Sequence, residues 1–263
     1  MLEEQNQWPR PPYDENDEPH FVFILTPPYT GSTAMANYLA TSPNVGMLRK
    51  SGEGQALVPG MLRNWNGHKK MDLDSIKAAW LHQYQQINSN GQIEIIVEKS
   101  PPNMVRIDSI LSIFKNTSCI VSNRDPVAFC SSRYFRHNNN IDALSVIQRQ
   151  TIVSTIALRW VQRSSLLMNL VDSCGYPRIS YEKFCEEPNQ LKHAVEKSSG
   201  KTILPNSNTY LKIKDYQPSL IINRNEDQIS RLSEFELEAI FNALTPHQDV
   251  ANFFGYSSKD WQS

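Results

Sequence analysis

The chain has 263 residues, of which 40% are hydrophobic and 20% are charged, and its formal net charge at pH 7 is −1. This length is enough to bury a large core in a single α/β domain. The weak net charge and the lack of a recognisable nucleic-acid-binding module argue against nucleic acid as a partner. No apolar run approaches the length of a membrane span and no charged-then-apolar segment opens the chain, so we expect a cytoplasmic protein with no membrane partner.

Residues 1–19 differ in composition from the rest of the chain. They are proline-rich, they contain six acidic residues and one basic residue, and they show no apolar periodicity. Such a segment is typical of a flexible arm. Subtracting it from the totals of 27 acidic and 26 basic residues leaves 21 and 25, so the remainder carries about +4. We therefore predict an acidic arm over 1–19 and a single domain over 20–263, whose charge suits an anionic ligand.

Strand and helix patterns alternate along this domain. We predict strands over 21–26, 93–98, 118–123 and 177–181, and helices over 33–41, 102–114, 126–136 and 142–171, with more helices after them. The segment between the first helix and about residue 92 reads as polar and variable. The long helix has apolar residues near helical spacing, including Ile147 and Trp160, and is expected to cover a sheet. Strands alternating with helices indicate an α/β fold with a central parallel sheet flanked by helices.

The first strand leads into a loop that suits an anion. Phe21–Leu39 places a buried-strand pattern, two prolines, Gly31 and two hydroxyl residues directly before a helical pattern. Backbone N–H groups at a helix N-terminus favour a bound phosphate or sulfate. The loop lacks the lysine of the nucleotide-triphosphate motif G-x-x-x-x-G-K-[ST], and a single glycine cannot form the dinucleotide motif G-x-G-x-x-G.

A second strand ends in an arginine. Ser118–Phe135 closes a buried run with Arg124, Asp125 and Pro126, and Ser132 follows two helical turns later. Arg124 stands at the strand end where open α/β sheets bind ligands, and its guanidinium suits a phosphate. Alternatively, Arg124 pairs with a neighbouring carboxylate and has a structural role.

Together these segments resemble the PAPS-dependent sulfotransferases, whose donor is 3′-phosphoadenosine 5′-phosphosulfate (PAPS) and whose spent donor is adenosine 3′,5′-bisphosphate (PAP). By that resemblance, the first loop holds the 5′-phosphosulfate, and Arg124 with Ser132 holds the 3′-phosphate. The resemblance assigns the loop positions Tyr29, Thr30, Gly31, Ser32, Thr33 and Ala34 to donor binding.

Two further stretches agree with this family. Ile179–Phe184 followed by Pro188 resembles the family segment whose tyrosine, here Tyr181, lies near the adenine, and Gln228–Tyr256 resembles the closing helices. The likeness runs from Phe21 to Tyr256. It is closer to the Golgi-type, tyrosyl-protein and bacterial branches than to the cytosolic aryl sulfotransferases, and it implies a P-loop-like three-layer fold.

One position departs from the family pattern. Tyr29 stands where relatives usually place Lys or Arg, so another cation must offset the charge that develops on the leaving phosphate. Lys99, in a segment that resembles the family element E-K-[ST]-P, is the best substitute, and Arg49 and Lys50 are looser candidates. A snorkelling surface lysine is the alternative, and it fits Lys50 better than Lys99.

The general base is also not the one used by the cytosolic branch, because Pro101 replaces the histidine of its K-T-H motif. Glu53, between two glycines, lies where other branches place a glutamate, and it is our candidate base. The alternative is a solvated turn glutamate, with Glu98 as the second candidate base.

The resemblance implies sulfuryl transfer to a hydroxyl or amine of a carbohydrate, small metabolite or peptide, by a monomer or homodimer. A nucleotide-binding relative that has lost the chemistry is the alternative. In this family the insertion over 45–91 lines the acceptor site, although its aromatics are more often core residues. The insertion's aromatic and basic residues are Arg63, Trp65, Lys69, Lys70, Trp80 and Tyr84.

The four cysteines lack C-x-x-C spacing and the six histidines show no metal-ligand spacing, so we expect free thiols and no metal.

Overall fold

The computed structural model of the protein describes residues 18–49, 51–62, 64–138, 140–213 and 217–257. Most of the predicted arm, together with Lys50 and Arg63, therefore lies outside the described residues. Glu18, at the end of the predicted arm, is buried and accepts a hydrogen bond from the backbone N–H of Lys115 at 2.6 Å. The predictions of an arm and of a single domain stay predictions.

A five-stranded parallel sheet forms the centre of the molecule, with the strand order β2-β3-β1-β4-β5. Because β1 lies between β3 and β4, the loops that follow these three strands meet at one edge of the sheet. The register sets Phe23 beside Glu98 and Leu25 beside Val121, so the chain leaves all three strands at a similar height. The strands are β1 (His20–Leu25), β2 (Val45–Met47), β3 (Ile95–Glu98), β4 (Thr117–Asn123) and β5 (Arg178–Ser180).

Helices cover both faces of this sheet, so the predicted three-layer α/β fold with a central parallel sheet is confirmed. They are α1 (Ser32–Leu39), α2 (Leu73–Ile87), α3 (Ile107–Leu111), α4 (Pro126–His137), α5 (Val146–Cys174), α6 (Tyr181–Glu186), α7 (Pro188–Ser199), α8 (Asn225–Ile229), α9 (Glu234–Leu244) and α10 (Gln248–Phe253). No helix in the described ranges is both long and apolar enough to cross a bilayer.

Alternate residues of β1 point to opposite faces of the sheet, as the period of a strand requires. Phe21 and Phe23 pack with Trp80 of α2, whereas Val22 and Ile24 pack under α1 and α7. Trp80 is fully buried, so this aromatic of the 45–91 insertion belongs to the core, and Tyr84 is buried beside it.

Three sequence predictions differ from the structure. The segment before residue 92 contains β2 and α2, whose N-cap Asp72 accepts from the backbone N–H of Ser75. The helix predicted over 102–114 is a 3₁₀ turn (Pro101–Val105) followed by α3, because the backbone of Arg106, with φ −140° and ψ 16°, is not helical. The long helix begins at Val146 behind the capping box of Ser145, and Ile147, predicted to face the core, is 74% exposed.

Candidate functional site

The loop after β1 is held in shape by its own hydroxyl groups. Thr30 is fully buried, and its hydroxyl donates to the carbonyl of Pro27 at 2.7 Å and contacts the hydroxyl of Thr26. Thr30 therefore has its backbone, and not its side chain, available for a ligand. Gly31 has a φ of +83° and directly precedes α1, whose first residues are Ser32 and Thr33. The loop thus presents the N-terminus of α1 to the edge of the sheet, as predicted.

Tyr29 turns its side chain away from this helix terminus. Its ring lies edge-on to Phe129, with 6.5 Å between ring centroids, and its phenol is hydrogen-bonded to Nε2 of His137. The Arg133 guanidinium lies 5.9 Å from the ring centroid. The residue that replaces the expected cation is thus fixed against α4 and brings no charge to the loop.

Lys99 lies beside the helix terminus instead. Its ammonium Nζ is 2.5 Å from Oε1 of Glu53 and donates to the hydroxyl of Thr33 at 3.1 Å. The Lys99 side chain is 2% exposed and that of Glu53 is 21% exposed. The structure therefore brings together the two residues predicted to be catalytic and the predicted donor loop. Lys99 is therefore not a surface lysine whose ammonium reaches solvent, which was the alternative.

The backbone around Glu53 is fastened to the end of β3. The Lys99 N–H donates to the carbonyl of Gly52 at 2.8 Å, and the Gly54 N–H donates to the carboxylate of Glu98 at 2.9 Å. Trp80 donates from Nε1 to the carbonyl of Gly54 at 3.1 Å. These three bonds fix the turn at Glu53 between the sheet and α2, so Glu53 is not a freely solvated turn residue.

Glu98 has a structural role. Its carboxylate also accepts from the Ser100 N–H at 3.0 Å and from the Asn103 side-chain amide, and Arg106 donates to that same Asn103 at 3.0 Å. Complete burial raises the pKa of Glu98, against the effect of these donors and of Arg106. Among the described residues, Glu98 does not line the cavity described below, which removes the reason to consider it as the base.

Arg124 crosses the end of β4 and closes the other side of the site. Its Nε donates to Oδ1 of Asn225 at 2.7 Å, and its guanidinium carbon lies 4.4 Å from the centroid of the Tyr181 ring. Within the described chain, Arg124 forms no salt bridge to a carboxylate, and its Nη2 is buried with no hydrogen-bond partner. The alternative prediction was that Arg124 pairs with a neighbouring carboxylate, and the described residues show no such pair.

Tyr181 links Arg124 to the glycine of the loop. Its hydroxyl donates to the carbonyl of Ile222 at 2.9 Å and accepts from the N–H of Arg224 at 3.2 Å. Its ring packs so closely on Gly31 that a Cβ at that position would lie 2.2 Å from Cδ2. Burial raises the pKa of Tyr181 to about 12, so this hydroxyl stays protonated.

A cavity of about 480 Å³ joins these groups, which is within the usual size for a small-molecule site. Of the predicted site residues, all but Thr30 line it: Tyr29, Gly31, Ser32, Thr33, Ala34, Glu53, Lys99, Arg124, Ser132 and Tyr181. Arg49 donates to the carbonyl of Ala56 outside this lining.

The sequence analysis missed part of the lining. Arg133 and Arg136 of α4 and Arg163 of α5 face the cavity and were not singled out, and His137 and Trp65 face it too. Arg133, Arg136 and His137 have i, i+3, i+4 spacing directly after Ser132, a pattern that places them on one side of α4 and was available as a signal. Trp65 was predicted to lie in the acceptor region, and its place in the lining agrees with that prediction.

No group of three or more His, Cys, Asp or Glu side chains within the described ranges is placed to hold a metal ion. Cys119, Cys130, Cys174 and Cys185 are all free, and burial raises the pKa of Cys119 to about 12. Of the four thiols, Cys185 lines the cavity.

Two of three comparisons with known proteins found similar proteins. No curated protein sequence matches the chain. A sulfotransferase from Alicyclobacillus acidocaldarius superposes with a TM-score of 0.56 at 13% identity, covering 94% of this chain and 99% of the other. The sulfotransferase domain of the Synechococcus PCC 7002 olefin synthase gives 0.53 at 17% identity, covering 91% and 98%. At such identities these likenesses show the fold alone. The model of the sulfotransferase family matches residues 19–200, and the chain therefore belongs to the sulfotransferase family.

Proposed function

We propose that the protein transfers a sulfuryl group from PAPS to a hydroxyl or amine of a carbohydrate, a small metabolite or a peptide. The observation that carries this proposal is the position of the Lys99 ammonium, between the Glu53 carboxylate and Thr33 at the start of α1. A cation, a carboxylate and an anion-binding helix terminus are the three groups that sulfuryl transfer needs in one place.

The residues of this cavity suit the donor. The N-terminus of α1 and the hydroxyls of Ser32 and Thr33 suit the phosphosulfate. The buried Nη2 of Arg124, which has no partner among the described residues, suits the 3′-phosphate together with Ser132, which lines the same cavity. Tyr181 offers an aromatic face on which an adenine can stack. Bound there, the donor supplies a sulfuryl group and a phosphate leaving group.

Lys99 and Glu53 divide the remaining work. The acceptor oxygen or nitrogen forms its bond to sulfur as the bond from sulfur to the 5′-phosphate oxygen breaks, and the electron pair remains on that oxygen. Lys99 stabilises this charge. Glu53 accepts the acceptor proton. An anion beside Thr33 attracts the Lys99 ammonium, which loosens its contact with Glu53 and leaves the carboxylate able to act as a base.

The first test is calorimetric binding of PAP. Wild type should bind with micromolar-type affinity, and Arg124→Ala should bind at least about tenfold more weakly, because a charge-assisted hydrogen bond is lost. Arg178→Ala is the matched control, since Arg178 also stacks on an aromatic ring, Phe253, but does not line the cavity. Wild-type protein that does not bind PAP would refute the donor assignment.

The second test distinguishes an enzyme from a nucleotide-binding relative. The distinction needs a test because Tyr29, which is neutral, stands where relatives usually place a cation. PAP release from PAPS, with water as acceptor, is measured for wild type, Glu53→Gln and Lys99→Met. Both substitutions should reduce the rate by about 100-fold, because a general base and a charge-stabilising cation each contribute on this order, with PAP affinity changed far less for Glu53→Gln. Wild type that binds PAP but releases none from PAPS would favour the binding relative.

A further inference from the structure

Three arginines form one side of the cavity, and none of them was part of the donor site just described. Arg133 and Arg136 come from α4 and Arg163 from α5, and we call these three residues the arginine wall. Arg163 lies with its guanidinium carbon 4.1 Å from the centroid of the Trp65 ring, and Arg133 lies over Tyr29. The wall therefore extends from the side chain of Tyr29 to Trp65.

The charges of two members of this wall, Arg133 and Arg163, are poorly compensated. Arg133 and Arg163 form no salt bridge to a carboxylate in the described ranges, and Nη1 of Arg163 is buried without a hydrogen-bond partner there. Burial and the like charges of Arg133 and Arg159 lower the pKa of Arg163 to about 10. Burial and Arg159 likewise lower the pKa of Arg133. Like charges held together in a partly desolvated place reduce the stability of the folded state.

Lys99 and Arg124 have a different environment. Lys99 contacts the Glu53 carboxylate and Arg124 donates to Asn225, so in each case a polar group of the chain already faces part of the cation. Arg133 and Arg163 have aromatic rings, Tyr29 and Trp65, in that place. Stacking on Trp65 fixes the plane of the Arg163 guanidinium and leaves its edge able to form two parallel hydrogen bonds to an oxyanion.

We propose that the arginine wall binds an oxyanion of the acceptor, so that the acceptor is a molecule that carries a carboxylate or a sulfate as well as the hydroxyl or amine that is sulfated. This inference rests on the proposed function. An acceptor anchored at Arg133 and Arg163 has its other end toward Lys99 and Glu53, since all four side chains line the same cavity. A bound oxyanion would also relieve the repulsion among these arginines.

The test uses inorganic sulfate as the probe for the oxyanion. Protein saturated with PAP is titrated with sulfate in a calorimeter, with chloride at matched ionic strength as the reference. Wild type should bind sulfate, and Arg163→Gln and Arg133→Gln should each weaken that binding at least about tenfold while leaving PAP affinity unchanged. Arg178→Gln, which removes a stacked arginine outside the cavity, should leave both affinities unchanged.

Lys99→Met distinguishes the wall from the place of the transferred sulfuryl group. If sulfate binds at the wall, Lys99→Met weakens its binding less than Arg163→Gln does. Sulfate binding that depends on Lys99 and not on Arg163 would overturn the proposal, as would wild type that binds PAP but no sulfate. A loss of PAP affinity in Arg163→Gln would assign the wall to the donor and also overturn it. Failure of wild type to bind PAP would instead refute the proposed function itself.

Discussion

Replacing Gly31 by alanine should be far more costly than a glycine-to-alanine change at a similar φ elsewhere. Gly31 has a φ of +83°, which costs an L-residue about 1–2 kcal/mol. In addition, the new Cβ would lie 2.2 Å and 2.6 Å from two carbon atoms of the Tyr181 ring, closer than such atoms can approach, so the ring must move.

The Tyr181 ring cannot move without losing contacts. Its hydroxyl holds two hydrogen bonds, to Ile222 and from Arg224, and Arg124 stacks on its face. Each hydrogen bond contributes about 0.5–1.5 kcal/mol and the cation–π contact contributes about 0.5–2 kcal/mol. Together with the backbone strain, Gly31→Ala should reduce the free energy of unfolding by on the order of 4 kcal/mol.

Urea unfolding followed by circular dichroism measures this loss, and Gly200→Ala provides the matched control. Gly200 has a φ of +68° and no atom within 4 Å of the position of a Cβ, so its substitution should cost only the backbone strain. In a Tyr181→Ala background the cost of Gly31→Ala should fall to that of the control. Equal costs for Gly31→Ala and Gly200→Ala in the wild-type background would show that the contact with Tyr181 has no energetic weight.

Two further predictions concern buried carboxylates. Burial and the nearby Glu182 raise the pKa of Asp125 from 3.8 to about 6, so wild type should lose on the order of 3 kcal/mol of stability as the pH rises from about 4 to about 6. Asp125→Asn keeps a cap for α4 and should lack this loss, which urea unfolding across that pH range measures; parallel pH profiles would contradict the assignment. Glu98→Ala should lower the free energy of unfolding by about 3–5 kcal/mol, because it leaves the N–H groups of Gly54 and Ser100 and the Asn103 amide buried without an acceptor and removes the negative charge near Arg106. The same substitution at exposed Glu94, which pairs with Lys201, should cost less than about 1 kcal/mol, and similar losses at the two positions would count against the buried network.

Local sequence patterns were sufficient to predict four of the five strands and the loop that precedes α1, whereas β2 was missed. β1, β3, β4 and β5 were predicted within a few residues, because buried strands read as short apolar runs and end at strong helix or turn signals such as Pro126. α2 was missed although Ile76, Trp80 and Tyr84 follow helical spacing, since the polar residues between them obscured the apolar side of the helix. Ile147 was predicted to face the core but is exposed, because apolar spacing alone does not show where a helix extends beyond the elements that it packs against.

The resemblance to the family identified both Glu53 and Lys99, but it did not predict that the two side chains are in contact. Each residue was singled out from its own motif, and the structure places their charged groups 2.5 Å apart. Their roles in catalysis stay predictions. The contact itself depends on hydrogen bonds between the turn at Gly52 and the end of β3. These bonds join residues nearly fifty positions apart, so neither local sequence pattern indicates them.

The sequence by itself determined the α/β class, the loop at Gly31 that precedes α1, and the family. These depend on runs of neighbouring residues whose spacing follows backbone geometry. Only the tertiary structure decided what surrounds each charge. It buried Glu98 away from the cavity, turned Tyr29 onto His137, and brought Arg133 and Arg163 from two helices to one cavity. Electrostatic energy depends on distance and burial in three dimensions, and residues far apart in the chain set both.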